Sequence, residues 1–403
     1  MRVRRAGARW PAVYLRVVAS SGTASLGDGI REVALPLLAA AITRDALLVS
    51  GLTACAYAPW LLLSMPIGTL VDRGRPELFL LGAGAARCVL LTALSADLLA
   101  GDRSLVLLYG VAFLLGVGEA TYDNASQSLI PRVVADRDLE RANGALVTAE
   151  RVGEDLAGPA AGGFLFAAGA ALPFIVNAIG LGLGTLLIVG IRTPRPAAGG
   201  PGPRPGLLRD AAAGLRWLWR ADLVRAVVVT GAGLTFLTQT WEPLLVLLVT
   251  AAMGVSGAAY GVILALGAGG GIIGAVATPA LARRFDHGRL RVAALGLTAA
   301  ADLALAAVPS PPMAALALAL ASAAFSLWNV LSVSLRQRRA PTDVLGRVNA
   351  ANRTLSMTAA LLGTLAGGLI AHVLGLRAPL WISGIALAAI ALLAARRWRP
   401  RAD

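Results

Sequence analysis

Long apolar runs follow one another along this chain with little between them. They fall at roughly 11–41, 46–71, 77–100, 104–129, 142–168 and 171–191. They resume at 223–252, 257–282, 290–308, 312–335, 347–373 and 377–395. A helix needs about 20 apolar residues to cross a bilayer, so each run is long enough to span one. With 403 residues in all, no room remains for a large soluble domain. The chain is 57% hydrophobic and 14% charged, whereas a soluble domain is about half apolar and about a quarter charged. That balance excludes a disordered chain, a nucleic-acid module and a disulfide-stapled scaffold. Cys55 and Cys88 both fall inside apolar runs, so neither a structural disulfide nor a metal site is expected.

The first run follows Arg2, Arg4, Arg5 and Arg9 as a signal peptide would, but it is too long for a cleavable leader and reads as a retained span. Between the sixth and seventh runs, 192–222 is rich in Pro, Gly and Arg, the composition of a solvated linker. The expected architecture is an all-α membrane protein of twelve transmembrane helices in two pseudo-symmetric six-helix bundles. Residues 1–191 form the first, 192–222 a cytoplasmic linker, and 223–403 the second with a short basic cytoplasmic tail.

The net charge of +14 comes from arginine alone, because the chain has no lysine. Apart from Arg16, Arg31, Arg87, Arg151 and Arg353 inside spans, only Arg44, Arg103 and Arg377 lie in odd-numbered connections; the others sit in the tails, the linker and the even-numbered connections. By the positive-inside rule both termini and the linker face the cytoplasm. The basic charge is therefore a topology signal and nucleic acid is not an expected partner.

The halves echo each other. Arg141-Ala-Asn143 precedes the fifth run as Arg347-Val-Asn349 precedes the eleventh, and Gly162-Gly163 has a counterpart in Gly367-Gly368. Parallel six-helix repeats are one transporter plan, with the substrate route between the halves. After the second run comes Gly68-Thr-Leu-Val-Asp72-Arg73-Gly74-Arg75. This resembles the loop signature G-x-L-x-D-R-x-G-R-[RK] of the major facilitator superfamily, one residue shorter and with Pro76 where a base is usual. Span five carries Gly153-Glu-Asp-Leu-Ala-Gly158-Pro159-Ala-Ala-Gly162-Gly163. It is similar to the G-x-x-x-G-P-x-x-G-G motif of that superfamily's drug:proton antiporters, with the first Gly displaced by one. Ser25-Leu-Gly27-Asp28-Gly29, and Gly116-Val-Gly118-Glu119 continuing to Arg141-Ala-Asn143-Gly144, resemble the branch of siderophore exporters and macrolide efflux pumps.

The resemblance implies a major facilitator fold, a gate formed at Gly68, Asp72, Arg73, Gly74 and Arg75, and an export-associated helix at Gly158, Pro159, Gly162 and Gly163. Ordinary basic loops and close-packed kinked helices also carry such residues. The resemblance further implies a central cavity lined by spans one, four, seven and ten. Ionisable residues at membrane depth are functional suspects by default, and those spans hold them. Asp28, Arg31 and Glu32 share one face of span one; Glu119 and Asp123 are a turn apart on span four. Asp28 lies about 25 Å along its helix from Pro11, past the midplane. Gln239, Trp241 and Glu242 are on span seven, Trp328 and Asn329 on span ten. Asp28, Glu32, Glu119 and Glu242 are the expected proton carriers, with Arg31 pairing one of them. A static ion-pair network that only fixes helix packing is the competing reading. Arg87, Glu150, Arg151, Glu154, Asp155 and Arg353 read as inter-helix pairs and gate contacts.

Gly269-x-Gly271-x-x-Gly274 fits a dinucleotide fingerprint in letters, but it lies inside an apolar run and lacks the preceding strand. His287 and His372 have no partners at metal-ligand spacing. No phosphate loop, G-x-S-x-G or H-E-x-x-H is present, so no catalytic residue, metal or cofactor is expected and the energy source would be the proton gradient. The expected function is efflux of a small molecule such as a drug, antibiotic or siderophore, by a monomer in the bacterial cytoplasmic membrane whose partners are its substrate and the lipid. A facilitator or importer is the alternative; a membrane sensor or intramembrane enzyme is a distant one.

Overall fold

The computed structural model describes residues 11–102, 104–135, 138–192 and 216–397, and the regular elements among them are helical. The first half comprises α1 (Ala12–Ile42), α2 (Ala46–Leu62, resuming over Ser64–Arg73), α3 (Pro76–Ala100) and α4 (Leu105–Val133). It continues with α5 (Leu139–Arg151, a π turn Val152–Ala157, then Gly158–Ala168) and α6 (Leu172–Ile188). In the second half α7 runs through Asp222–Gln239, a 3-10 turn Glu242–Leu244, Leu245–Leu247 and a π turn Leu248–Ala252. Then follow α8 (Gly257–Arg284), α9 (His287–Ala307), α10 (Pro311–Arg339), α11 (Thr342–Leu374) and α12 (Ala378–Arg397). The expected all-α membrane architecture is thus observed.

Among the described residues, eight stretches are long and apolar enough to cross a membrane, the broken α7 among them. The remaining four are charged, short or interrupted. Arg16, Asp28, Arg31 and Glu32 charge α1, and α6 has only 17 residues. A break at Leu63 divides α2, where Pro66 cannot donate to the preceding turn. In α5 the π turn ends where Pro159 removes another donor. Hydropathy alone reads α2, α5 and α7 as continuous. Proline makes these breaks, and hydropathy averaged over a run does not register a single missing N–H.

Local chemistry sets the connections. The side chains of Asp45, Ser104, Ser256 and Asp286 accept backbone N–H bonds at the starts of α2, α4, α8 and α9. Gly101 ends α3 at φ 90°, a conformation that disfavours a side chain. In the first half α1 packs on α5 and α6, α3 on α4 and α6, and α2 on α4; in the second, α8 and α9 pack on α10, α9 on α12, and α7 on α11. The halves meet along two seams, α2 against α11 and α5 against α8.

Successive passes put residues 11, 188–192 and 397 at one end, termed the tail end, and the α1–α2, α7–α8 and α11–α12 connections at the far end. One apolar core containing Leu37, Val246, Tyr260 and Leu305 joins both halves. Val227, Trp328 and Leu387 belong to a separate cluster within the second half, and Leu218 and Val348 to another. Leu99, Val106 and Val276 are among the exposed apolar side chains, as lipid-facing helices require.

Candidate functional site

Asp28 and Arg31 lie one turn apart on α1, both buried. Arg31 Nη2 donates to Glu119 Oε2 on α4 at 2.5 Å and reaches Asp28 Oδ1 at 3.4 Å. Arg87 of α3, only 1% exposed, ion-pairs with the same Asp28 oxygen. Three helices are thus tied by two carboxylates and two guanidinium groups. A buried charge without a partner is strongly unfavourable, so each guanidinium must keep a carboxylate partner while it stays buried. The nearby glycines make the approach possible. A Cβ on Gly118 would lie 2.5 Å from Arg87 Cγ, and one on Gly29 would run into the Glu154 backbone oxygen on α5. These are the glycines of the two motifs that surround Asp28 and Glu119.

Further acids face the same interior. Glu32 follows Arg31 and is exposed; Asp123, a turn beyond Glu119, is half-buried and within electrostatic reach of Asp28, Glu119 and Glu150. Glu242, at the break in α7, is exposed to water, and its charge acts on Tyr57 of α2, on Tyr260 of α8 and on Asp302 of α9. The charges of Glu32, Glu119, Glu154 and Glu242 all act on Tyr57 of α2, and those of Glu32 and Glu242 on Tyr260 of α8. Acids from both halves therefore share one neighbourhood, and they outnumber Arg31 and Arg87. Such a field favours cations and protons over anions.

Gln239 and Trp241 are buried beside Glu242. Trp328 is buried within the second half, where a Cβ on Gly231 would lie 3.0 Å from its Nε1, and Asn329 next to it is exposed. Buried polar residues beyond the sequence candidates include Asn177, Ser20, Tyr122 and Asp302. Ser20 and Tyr122 share a 2.6 Å hydrogen bond, and the Ser383 hydroxyl lies 2.6 Å from Asp302 Oδ2. Asp302 had a legible signal, being the sole acid in the run 290–308.

The span-five motif builds a seam. A Cβ on Gly158 or Gly162 would lie 2.6 Å from Gly29 Cα or from the Ile30 backbone oxygen on α1; one on Gly163 would lie 2.6 Å from the Gly257 oxygen on α8. Pro159 is buried between them. The counterpart pair repeats this logic. Gly367 faces the Thr240 backbone on α7, and Gly368 faces Ser50 on α2. In each pair the first glycine admits a helix of its own half and the second a helix of the other half. Nearby at the far end, His372 Nδ1 lies 3.1 Å from Asp45 Oδ1 across the halves. Burial raises the Asp45 pKa, but the Leu47 N–H and His372 lower it more, so the carboxyl sits below its ordinary value.

At the tail end Gly68 packs near Asn124, where an added Cβ would lie 3.4 Å from Oδ1, and Gly74 sits against Phe79. Arg75 Nε donates to the buried Glu77 at 2.9 Å. The side chains of Asp72 and Arg73 lie outside the described residues, as does that of Asp155. Deeper along the α2–α11 seam, Arg353 stacks 5.4 Å from the Trp60 ring centroid.

The family model of the Major Facilitator Superfamily matches residues 17–364. The multidrug efflux pump Tap of Mycobacterium tuberculosis is 26% identical over 394 residues, covering 93% of this chain and 90% of that protein. Tap of Mycobacterium bovis matches to the same extent. Among solved structures, the nucleoside transporter NupG superposes with a TM-score of 0.73 at 12% identity, covering 96% of this chain and 100% of its own. A bacterial homologue of the human lysosomal transporter Spinster, inward-facing and unoccupied, gives 0.71 at 17% identity over 96% and 98%. A D-xylose-proton symporter gives 0.70 at 16% over 96% and 97%. At these identities the structures share a fold with this chain.

Proposed function

This chain belongs to the major facilitator superfamily and is a multi-pass membrane transporter; we propose that it exports a small molecule across the bacterial plasma membrane in exchange for protons. The likeness to Tap supports export. The observation that carries proton exchange is Arg31, bonded to Glu119 and within reach of Asp28 in an interior with surplus acids. One guanidinium serving two carboxylates gives the site two ways to pair. A proton arriving on one acid releases Arg31 to the other, and cargo entering the cavity competes for the acid left bare. The two halves rock about this site, opening one end as the other closes. The surplus of acids favours a cationic or amphiphilic cargo. By the arginine distribution, both termini and the tail end face the cytoplasm.

The test is transport into everted vesicles of a panel of dyes, macrolides and siderophores, with and without a pH gradient. Gradient-driven uptake that is lost in Asp28→Asn or Glu119→Gln is the expected result. Uptake indifferent to both gradient and substitutions would make these acids static packing and the protein a facilitator.

A further inference from the structure

Asp302 is the only acidic residue of α9, and it is 1% exposed. Its surroundings differ from those of Asp28 and Glu119. Among the described residues no basic side chain pairs with it; the Ser383 hydroxyl of α12 is its hydrogen-bond partner at 2.6 Å. Arg377, about a turn farther along, donates to the carbonyls of Ala306 and Ala307. The charged group that bears on Asp302 is Glu242, of like sign. Neither α10 over 311–335 nor α12 over 378–395 brings an ionisable side chain. Beside the carboxyl lies Trp241, whose buried indole N–H is close enough to act on Asp302 but does not reach hydrogen-bond geometry with it.

A carboxylate taken out of water with no cation near it, and with another acid beside it, favours the neutral form. The Ser383 hydroxyl donates to Oδ2 when the carboxyl is ionised, and, because a hydroxyl both donates and accepts, it can take the O–H of the neutral acid instead. The unpartnered indole N–H is the complementary half of the arrangement. It is the donor that an ionised Asp302 would take up, because an acceptor-only carboxylate needs donors that a carboxylic acid does not. Trp241 and Glu242 are consecutive at the break in α7, so movement of one carries the other.

We propose that Asp302 is a proton-binding site of the second half, whose ionisation captures the Trp241 N–H and so repositions Glu242. The proton leaves the Asp302 carboxyl for water or the Glu242 carboxylate, and no other bond changes. As part of the transport cycle this site rests on the proton-exchange reading above. It gives that exchange a carrier in each half, ion-paired in the first and cation-free in the second.

Tryptophan emission of the purified full-length protein, titrated with pH, tests the site without any cargo. The difference between wild type and Trp241→Phe isolates the Trp241 signal. A titration step is expected in that difference, absent in Asp302→Asn and displaced in midpoint by Ser383→Ala. A step that persists in Asp302→Asn, an unchanged midpoint in Ser383→Ala, or a flat folded wild type would overturn the proposal. Should Asp302→Asn fail to fold, the Ser383→Ala midpoint decides alone. Cargo uptake measured on the same variants separates the two claims. Loss of gradient-driven uptake in Asp302→Asn places the site in the cycle. A wild type indifferent to the gradient removes proton exchange while the titration still reports on Asp302.

Discussion

Arg87 heads the fully buried side chains by volume, and the Asp28 carboxylate is its ion-pair partner. Breaking a buried pair from one side costs about 3–5 kcal/mol, because the remaining charge stays in low dielectric. Arg87→Met should therefore lower the thermal midpoint of the purified protein markedly, and adding Asp28→Asn should recover part of the loss. Equal destabilisation in the single and double variants would mean that the pair contributes nothing beyond packing. Asp28, Arg31 and Glu119 were legible in the sequence because charge at membrane depth stands out in an apolar run. Their partners were not, because nothing in the letters brings residue 87 to residue 28. Asp302 was visible as a letter, but its meaning depends on the absence of a cation, which only the packing of α9 against α10 and α12 reveals.

At the scale of elements, the two seams explain the glycine pairs. A Cβ on Gly368 would collide with Ser50 Oγ, a side chain that can be removed. Gly368→Ala should disturb far-end closure by about 1–3 kcal/mol, the cost of overpacking, and Ser50→Gly should largely relieve it. At Gly163 the obstacle is backbone, the Gly257 oxygen, so no side-chain change opposite should rescue Gly163→Ala. Transport by the single and double variants checks both. The Asp45–His372 contact adds a titratable clasp to the α2–α11 seam. Asp45 has a lowered pKa when clasped, so its contribution is full above the ordinary carboxylate range and is lost as pH falls through the lowered value. Its partner is half exposed, so solvent screens the pair and limits it to about 0.2–1 kcal/mol. Ser50→Cys, buried under the seam, should react faster with a maleimide once His372→Ala is added; an unchanged rate would show that the clasp does not hold the far end. The Gly162-Gly163 and Gly367-Gly368 repeat was readable from spacing alone. Which helix each glycine admits was not, nor were the breaks in α2 and α7, since these depend on single backbone donors.

For the whole molecule, apolar runs and arginine alternation carry most of the fold, because the bilayer demands both. The state of the halves is written elsewhere. A core that joins them through Leu37, Val246, Tyr260 and Leu305, with separate clusters in the second half, describes a protein closed at its far end. Proton-driven export requires that this closure alternate with closure at the tail end. The most direct measurement is the distance between paired spin labels across the halves, at Val106 and Val308 for the far end and at Leu78 and Phe285 for the tail end, all exposed positions. Recorded in lipid at acidic and alkaline pH, the two distances should change in opposite directions, and Asp28→Asn should abolish the pH response. Distances that stay fixed with pH, or that lengthen together, would contradict the account.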